Sequence, residues 1–209
     1  MRAEKRLQTL NRRARSDAPY LAWLRRIGTS LSLRRSDSQI VTMNPNEMAF
    51  VALGSNLGDS RALVCAAMDR LQQFSDFPIH RSSLWESAPV NCPPGSPSFI
   101  NAAVGFVPRP NETPETLLGK LQPIEREFGR TPKTVLNEAR PLDLDLITFR
   151  REIRKTSELT LPHPRAHLRR FVLAPLNEIA PRLLLPGTGK TVRALLSHLK
   201  SEEFVKKII

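Results

Sequence analysis

The chain has 209 residues, a net charge of +12, and 40% hydrophobic and 25% charged residues. The hydrophobic content is enough for one buried core, and the charged content is too low to predict disorder for the whole chain. It also excludes a membrane-spanning protein and a secreted disulfide scaffold, because no apolar run is long enough to cross a bilayer and only Cys65 and Cys92 are present. We therefore expect a cytoplasmic protein.

The basic excess is concentrated in residues 1–42. This segment has ten Arg or Lys residues against three acidic ones, so it carries +7 and leaves +5 for the remainder. Three interpretations stay open: an upstream start with Met43 or Met48 as the true beginning, an organelle-targeting segment, or a nucleic-acid arm. We expect residues 1–46 to be an extension, disordered or loosely helical, and residues 47–209 to form the folded domain.

A short apolar run at residues 50–53 predicts a buried strand. It ends in a turn, Gly54-Ser55-Asn56-Leu57-Gly58-Asp59-Ser60, after which apolar residues recur at helical spacing as far as Phe74. The turn could serve chain reversal alone, or it could present backbone N–H groups to an anion at the start of the helix. It is neither a Walker A loop nor a dinucleotide-binding turn.

Two further strands are predicted at residues 81–87 and 98–107, separated by a loop with four prolines at residues 88–97. Prolines cannot support a regular ladder, so this loop is a candidate lid of restricted mobility. Asn101 interrupts the apolar run of the later strand. A buried Asn needs hydrogen-bond partners, which are either structural or the polar edge of a ligand.

A second helix is predicted between Thr113, as its N-cap, and Gly129, as its C-terminal stop. Pro114 stands at the first helical position, where proline is favoured. Arg130 follows the stop, and a second irregular loop covers residues 131–139. Arg130 and Arg140 lie at the two ends of this loop, so they could clamp a polyphosphate or could simply be solvated.

The strand after Arg140 carries the most informative pattern in the sequence. Apolar and polar residues alternate strictly from Leu142 to Leu146, so Asp143 and Asp145 share one face, about 7 Å apart. Like charges on one face of a strand repel, unless a positive charge lies between them. Two interpretations follow: the solvated acidic face of an edge strand, or a site for a divalent cation such as Mg²⁺.

The C-terminal part predicts a short strand at residues 159–161, a helix over part of residues 165–177, and a final helix at residues 192–199. His163 lies between two prolines, where histidine is usually structural. Gly187-Thr188-Gly189-Lys190-Thr191 is similar to the end of a P-loop, but Leu184 stands where that motif requires glycine. We interpret this segment as a turn and a helix cap.

The order strand, helix, strand, strand, helix, strand predicts an α+β fold with a ferredoxin-like βαββαβ core. Helices would cover one face of an antiparallel sheet, with further helices at the C-terminus. The loops at residues 87–97 and 131–139 would then frame a cleft over the other face.

Four segments in this order resemble 6-hydroxymethyl-7,8-dihydropterin pyrophosphokinase, the diphosphokinase family of folate biosynthesis. The resemblance extends from residue 50 to residue 199 and rests on Ala52-Leu53-Gly54-Ser55-Asn56-Leu57-Gly58-Asp59, Phe99-Ile100-Asn101-Ala102-Ala103-Val104, Arg140-Pro141-Leu142-Asp143-Leu144-Asp145, and Leu161-Pro162-His163-Pro164 with Phe171-Val172-Leu173-Ala174-Pro175-Leu176.

The resemblance implies that a pyrophosphoryl group passes from ATP to the hydroxymethyl group of a reduced pterin, with release of AMP. It implies two Mg²⁺ ions held by Asp143 and Asp145. These aspartates, with Arg130 and Arg140, would be the catalytic residues. It also implies two sets of binding residues: ATP would contact Gln122, Glu125, Arg130, Arg140, Thr160, His163 and Arg169, and the pterin would contact Ser87, Ala88, Val90, Phe99, Asn101 and Phe171.

Two departures from the family pattern affect these expectations. Some members have Trp-Gly-Pro-Arg before the aspartates, where this chain has Asn137-Glu138-Ala139-Arg140. Pro164 stands where some members have an aromatic residue, which removes one possible nucleotide contact. Neither departure changes the two aspartates.

Two other functions compete with this one. Another Mg²⁺-dependent nucleotidyl- or phosphotransferase would also use two aspartates, but in nucleotidyltransferases the Gly-Ser turn lies close to them in sequence. A nucleic-acid-binding protein would place its basic residues on the folded part, whereas here they are concentrated before residue 43. We therefore expect ATP and a reduced pterin as partners, no nucleic acid or membrane for the folded domain, and a monomer as one possible state.

Overall fold

A computed structural model describes residues 43–131, 135 and 137–208 of the chain. The expectations for residues 1–42 lie outside the described residues. The elements below belong to one compact unit, Pro45–Ile209. Within the described part, no helix is both long enough and apolar enough to cross a membrane.

Four α-helices and ten β-strands follow one another along the described chain. The helices are α1 (Ser60–Leu71), α2 (Pro114–Glu127), α3 (Arg170–Ile179) and α4 (Val192–His198). The strands are β1 (Ala49–Ser55), β2 (His80–Arg81), β3 (Leu84–Ser87), β4 (Phe99–Phe106), β5 (Asp143–Phe149), β6 (Arg154–Lys155), β7 (Thr160–Leu161), β8 (Leu184–Leu185), β9 (Lys190–Thr191) and β10 (Val205–Ile208).

One antiparallel sheet organises the domain. Its strand order is β10-β3-β4-β1-β5, and β2 also pairs with β4. Two small hairpins, β6 with β7 and β8 with β9, lie outside it. The prediction of a mixed fold of helices and an antiparallel sheet is thus confirmed.

Helices lie on both faces of this sheet. The main core joins α1 and α2 to one face, and its buried members include Val51, Leu53, Val64, Leu71, Val104, Leu117, Leu121 and Leu144. Helix α3 contacts β4, and its Phe171 and Val172 lie beside Ala52 and Asn101, which point to the opposite face. Each large buried side chain contributes about 1.5–3 kcal/mol, so the core face supplies much of the stability and leaves part of the other face open for a site.

The ends of α2 follow the signals in the sequence. The Thr113 side chain accepts a hydrogen bond from Thr116 N at 3.2 Å, which satisfies a backbone donor that the helix leaves free. Gly129 has φ 88°, a left-handed conformation that glycine adopts without strain. The helix therefore ends before Arg130, and the conformation of Gly129 sets the direction in which the chain continues.

Two features of the sheet differ from the sequence predictions. The strand expected at residues 81–87 is divided, because Ser82 Oγ accepts a hydrogen bond from Ala103 N at 2.9 Å and interrupts the ladder. The edge strand β10 was not predicted, since only four residues of modest apolarity mark it. The P-loop-like segment is a hairpin and a cap, as predicted: Thr191 Oγ1 accepts a hydrogen bond from Ala194 N at 3.2 Å.

Glu178 of α3 ties three segments together at the edge of the sheet. Its carboxylate accepts hydrogen bonds from Ser83 N at 3.1 Å, from Trp85 Nε1 at 3.1 Å and from Lys207 Nζ at 3.0 Å. Burial acts to raise the pKa of Glu178, but the hydrogen bonds from Lys207, Ser83 and Trp85 together lower the pKa below its ordinary value. The charged form of Glu178 therefore stabilises the fold.

We predict that Glu178→Gln lowers the free energy of unfolding by about 1–3 kcal/mol at neutral pH. The NH₂ group of the introduced amide is itself a donor, so it cannot accept a hydrogen bond from the donors that the carboxylate binds. A carboxyl whose pKa is lowered on folding contributes stability above its unfolded pKa of about 4.3, and this stability is lost as the pH falls through the folded pKa. Urea unfolding at pH 7 and at pH 3.5 measures the difference. A deficit of the variant that is equal at both pH values would contradict the role assigned to the charge.

Candidate active site

A cleft opens on the sheet face beside α3. It is open to solvent and has both polar and apolar residues in its lining, as small-molecule sites commonly do. Its walls come from β1, β3, β4, β5, α3 and the two predicted loops, which contribute Val90, Cys92 and Asn137. The prediction that these loops frame a cleft on this face is confirmed.

Most of the predicted site residues meet in this cleft. Those that line it are Ser87, Ala88, Val90, Phe99, Asn101, Arg140, Asp143, Asp145, Arg169 and Phe171. Glu125, Arg130 and His163 lie directly behind its acidic wall, through contacts described below. Gln122 and Thr160 are exposed on α2 and β7, and the structure does not bring them into the cleft.

The acidic pair lies on the edge strand β5, opposite two small residues. Asp143 pairs with Gly54 and Asp145 with Ala52 across the β1 ladder. Because neither partner has a side chain beyond Cβ, the space above the two carboxylates stays unfilled. The small residues of β1 thus make room for a ligand over the carboxylates.

Two arginines neutralise Asp143. Arg130 Nη1 lies 2.7 Å from Asp143 Oδ1, and Arg140 Nη1 lies 3.6 Å from Asp143 Oδ2. Arg130 also forms an ion pair with Glu125, whose Oε1 accepts a hydrogen bond from Leu144 N at 2.8 Å. Glu125 thereby occupies a backbone donor on the free edge of β5 and anchors Arg130 beside the aspartates.

Asp145 has a different environment from Asp143. Its side chain has no hydrogen bond or ion pair to any residue in the described ranges 43–131, 135 and 137–208. Burial, and then the charge of Asp143, raise the pKa of Asp145. Burial likewise raises the pKa of Glu125, although its hydrogen bond from Leu144 opposes the shift. A cation bound beside Asp145 would therefore favour its ionised form.

The two carboxylates are suited to Mg²⁺ bound together with a phosphate ligand. Among the described residues, no group of three or more His, Cys, Asp or Glu side chains forms a metal site of its own. Mg²⁺ commonly takes one or two carboxylates and completes its shell with water and substrate phosphates. Asp143 and Asp145 fit that pattern rather than a cage made only by protein.

His163 follows β7 and lies near enough to Asp145 for their charges to interact. Its backbone N donates to Ile147 O on β5 at 2.9 Å, and its Nδ1 accepts from Arg165 N at 3.4 Å. Burial lowers the pKa of His163, although the charge of Asp145 opposes the shift. The ring is therefore neutral at pH 7 with its proton on Nε2, which can donate a hydrogen bond to an anion.

Aromatic rings and an amide form the other end of the cleft. Arg140 Cζ lies 5.8 Å from the centre of the Phe99 ring, and Arg169 Cζ lies 5.3 Å from the centre of the Phe171 ring. Asn101 Nδ2 donates to Ser87 Oγ at 2.9 Å, so the nitrogen has a structural partner. The oxygen of Asn101 has no donor within the described part of the chain, which leaves it available to a ligand.

Two further residues of the site were not predicted from the sequence. Asn137 Nδ2 donates to Asn91 O at 2.7 Å and joins the two loops across the cleft. Asn56, which is 3% exposed, accepts a hydrogen bond from Arg140 N through its Oδ1 at 2.9 Å. The Gly-Ser-Asn turn could have signalled Asn56, but no spacing connects residue 56 to residue 140.

Several backbone amides of the turn after β1 and of the start of α1 already have partners within the protein. Asn56 N donates to Arg140 O, Ser60 N to Gly58 O, and Leu63 N to Asp59 O. Asp59 Oδ1 also accepts from Ala62 N at 3.1 Å. These bonds favour the first of the two interpretations of this turn, chain reversal and helix capping.

Comparison with known proteins agrees with this geometry. The sequence model of the family described as 7,8-dihydro-6-hydroxymethylpterin-pyrophosphokinase matches residues 50–181. A Bacillus subtilis protein named 2-amino-4-hydroxy-6-hydroxymethyldihydropteridine pyrophosphokinase is 40% identical over 145 residues, which cover 69% of this chain and 84% of that protein. A Haemophilus influenzae protein of the same name is 35% identical over 159 residues, which cover 76% and 96%.

Solved structures show the same fold at low sequence identity. The wild-type HPPK-DHPS of Plasmodium falciparum with pteroate superposes with a TM-score of 0.55 at 14% identity, over 72% of this chain and 44% of that one. An HPPK-DHPS in complex with substrates gives a TM-score of 0.57 at 13% identity, over 74% and 43%. This chain spans less than half the length of those chains.

The sequence match extends from β1 through α3 and includes both aspartates of the cleft and the arginines that neutralise Asp143. It confirms the resemblance drawn from the four sequence segments. The chain belongs to the 7,8-dihydro-6-hydroxymethylpterin-pyrophosphokinase family.

Proposed function

We propose that the chain uses this cleft to transfer the pyrophosphoryl group of ATP to 6-hydroxymethyl-7,8-dihydropterin, giving the pterin diphosphate and AMP for folate biosynthesis. One observation carries the proposal: Asp143 and Asp145 share a cleft wall with Arg140, with Arg130 directly behind it. Carboxylates that hold cations, next to guanidinium groups that bind phosphate, are what phosphoryl transfer chemistry requires.

The proposal includes two Mg²⁺ ions held by Asp143 and Asp145. When bound, these ions would neutralise phosphate charge and hold the attacking and leaving oxygens in line. Asp145 supports this assignment because its buried carboxylate forms no hydrogen bond or ion pair with the described residues, and the charges of His163, Arg169 and Arg140 only partly offset its burial. Glu125 would keep Arg130 and the β5 edge in place rather than bind metal itself, since its Oε1 already accepts from Leu144 N.

Arg130 and Arg140 would exchange partners when the nucleotide binds. Both guanidinium groups contact Asp143 in this structure. With the Asp143 carboxylate engaged in cation binding, Arg130 and Arg140 would be free to bind the phosphate oxygens. His163, through its Nε2 proton, and Arg169 would then bind the remaining phosphates. The nucleotide contacts assigned to Gln122 and Thr160 remain predictions, as these two side chains lie outside the cleft.

The pterin would occupy the end of the cleft formed by Phe99, Phe171 and Asn101. Its flat ring can stack on aromatic faces, and the free Asn101 oxygen can accept from the amino edge of the ring. Ser87, Ala88 and Val90 would complete the wall. The hydroxymethyl group would then point toward the acidic pair, where the phosphates lie.

Several broader expectations belong to the same proposal. The strand order of β3, β4, β1 and β5, with α1 and α2 on one face, supports a ferredoxin-like plan. We place the activity in residues 47–209. We propose that the protein acts as a monomer in the cytoplasm, where free Cys65 and Cys92 are consistent with a reducing compartment.

The nucleotide product tests the reaction directly. Incubation of the protein with ATP, Mg²⁺ and 6-hydroxymethyl-7,8-dihydropterin should give AMP and the pterin diphosphate in equal amounts. Chromatography separates the nucleotides, and omission of the pterin is the control. ADP as the product would point to an ordinary kinase, and release of inorganic pyrophosphate would point to a nucleotidyltransferase.

We predict that Asp145→Asn lowers kcat by on the order of 10³-fold, because loss of a metal ligand removes several kcal/mol of transition-state stabilisation. The free energy of unfolding should stay the same or rise by up to about 1 kcal/mol, since a repelling carboxylate is removed. Steady-state kinetics and thermal unfolding without nucleotide measure the two effects. An inactive variant that is also unfolded would favour a structural role for Asp145.

We predict that Arg140→Ala lowers kcat/KM by about 10²–10³-fold, because a positioned guanidinium no longer offsets phosphate charge. Arg81→Ala is the matched control, since Arg81 is paired with Asp69 on the surface, away from the cleft. Its kcat/KM should be unchanged. Equal losses in both variants would mean that general charge, and not the position of Arg140, determines the rate.

A further inference from the structure

Asn56 is a buried side chain that contacts two separate parts of the cleft wall. Its side-chain Oδ1 accepts a hydrogen bond from Arg140 N at 2.9 Å, and its backbone N donates one to Arg140 O at 3.1 Å. Its Nδ2 donates to Pro97 O at 3.4 Å, at the end of the proline-rich loop. With 3% of its surface exposed, Asn56 makes these contacts out of reach of bulk water.

The bonds to Arg140 replace strand pairing that the sequence cannot supply. The ladder between β1 and β5 reaches as far as Gly54 opposite Asp143. Beyond that point Pro141 has no N–H group, so a regular ladder cannot continue. Asn56 instead binds both groups of Arg140, the N–H through its side-chain Oδ1 and the C=O through its own backbone N–H. Together these bonds fix the Arg140 backbone three positions before the start of β5.

A fixed backbone at Arg140 determines where its guanidinium lies. The side chain is only 15% exposed, with Nη1 3.6 Å from Asp143 and Cζ 5.8 Å from the centre of the Phe99 ring. Its Nε is buried and has no hydrogen-bond acceptor among the described residues. Because the backbone of Arg140 is already fixed, its side chain does not need this Nε–H group for a structural hydrogen bond. The Nε–H group can therefore donate to a ligand.

The third bond connects the same amide to the aromatic end of the cleft. Pro97 stands two residues before Phe99, which begins β4 and forms the wall of that end. The Asn56 amide therefore fixes the distance between the Arg140 backbone and the start of the Phe99 strand. These are the two parts of the cleft that would hold the phosphates and the pterin.

We propose that Asn56 is a positioning residue for pyrophosphoryl transfer, which acts through Arg140 and through the end of the proline-rich loop. This role rests on the proposed function, because it concerns the alignment of two substrates in the same cleft. A misplacement of about 1 Å can cost about 10²-fold in rate, so a residue that touches neither substrate can still govern the reaction. Asn56 makes no contact with Asp143 or Asp145 that would give it a metal-binding role.

A double-mutant cycle tests the connection to Arg140. Asn56→Ala alone should lower kcat/KM by about 10–100-fold. Arg140→Ala should cost about 10–100-fold less in the Asn56→Ala background than in the wild-type background, because the part of the guanidinium's effect that depends on Asn56 is already lost there. The affinity for ATP itself, measured by calorimetry without the pterin, should show the same loss of additivity.

Asn46→Ala is the matched control. Asn46 Oδ1 accepts a hydrogen bond from Leu184 N at 3.0 Å, so it also bridges distant segments through a backbone donor, but outside the cleft. This variant should lose stability to a similar degree and keep its kcat/KM. If it lost activity as Asn56→Ala does, the effect of Asn56 would be one of stability alone.

Asn56→Asp keeps the test decisive if Asn56→Ala does not fold. The carboxylate still accepts from Arg140 N but cannot donate to Pro97 O. In this background Arg140→Ala should still cost its full factor, while the KM for the pterin rises. The proposal would be overturned if Arg140→Ala cost its full factor in the Asn56→Ala background. It would also be overturned if Arg140→Ala had no effect in the Asn56→Asp background. An inactive wild-type chain would instead refute the proposed function.

Discussion

The arrangement of the cleft depends on one constraint: two carboxylates repel each other on one face of an edge strand. Asp143 and Asp145 follow each other at the spacing of the pleat, so they cannot avoid one another without loss of the register that buries Leu144 and Leu146. Arg130 and Arg140 form ion pairs with Asp143, whereas Asp145 has no ion pair among the described residues, and the charges of His163, Arg169 and Arg140 offset its burial only in part. The remaining charge is what a metal–nucleotide complex would neutralise.

The supporting elements can be understood from this constraint. Gly54 and Ala52 leave space above the carboxylates, Glu125 closes the free edge of β5 and holds Arg130, and Asn56 fixes the backbone of Arg140. Each of these contacts joins segments far apart in the sequence. The charged end of the site is therefore held by contacts between distant segments, which suits preorganised electrostatic catalysis, and its mouth is formed by two loops joined through Asn137.

Local signals predicted the parts of the structure that local physics determines. Alternation placed Asp143 and Asp145 on one face, and Thr113 and Gly129 bounded α2 as their capping preferences require. Long-range contacts were not predictable in this way: Asn56 bonds Arg140 across 84 positions, and β10 pairs with β3 from the far end of the chain. Such partners are selected by the closed fold and leave no periodicity in the sequence. Gln122 and Thr160, taken from the family resemblance, point outside the cleft in this structure.

The central claim is that the two aspartates hold divalent cations against the phosphates of a nucleotide. Its most direct test is the binding of Mn²⁺, measured by electron paramagnetic resonance with a non-hydrolysable ATP analogue. We expect two Mn²⁺ ions per chain in the presence of the nucleotide, and loss of protein-bound Mn²⁺ when Asp143 and Asp145 are both replaced by Ala in a folded variant. Unchanged Mn²⁺ binding by that variant would contradict the account.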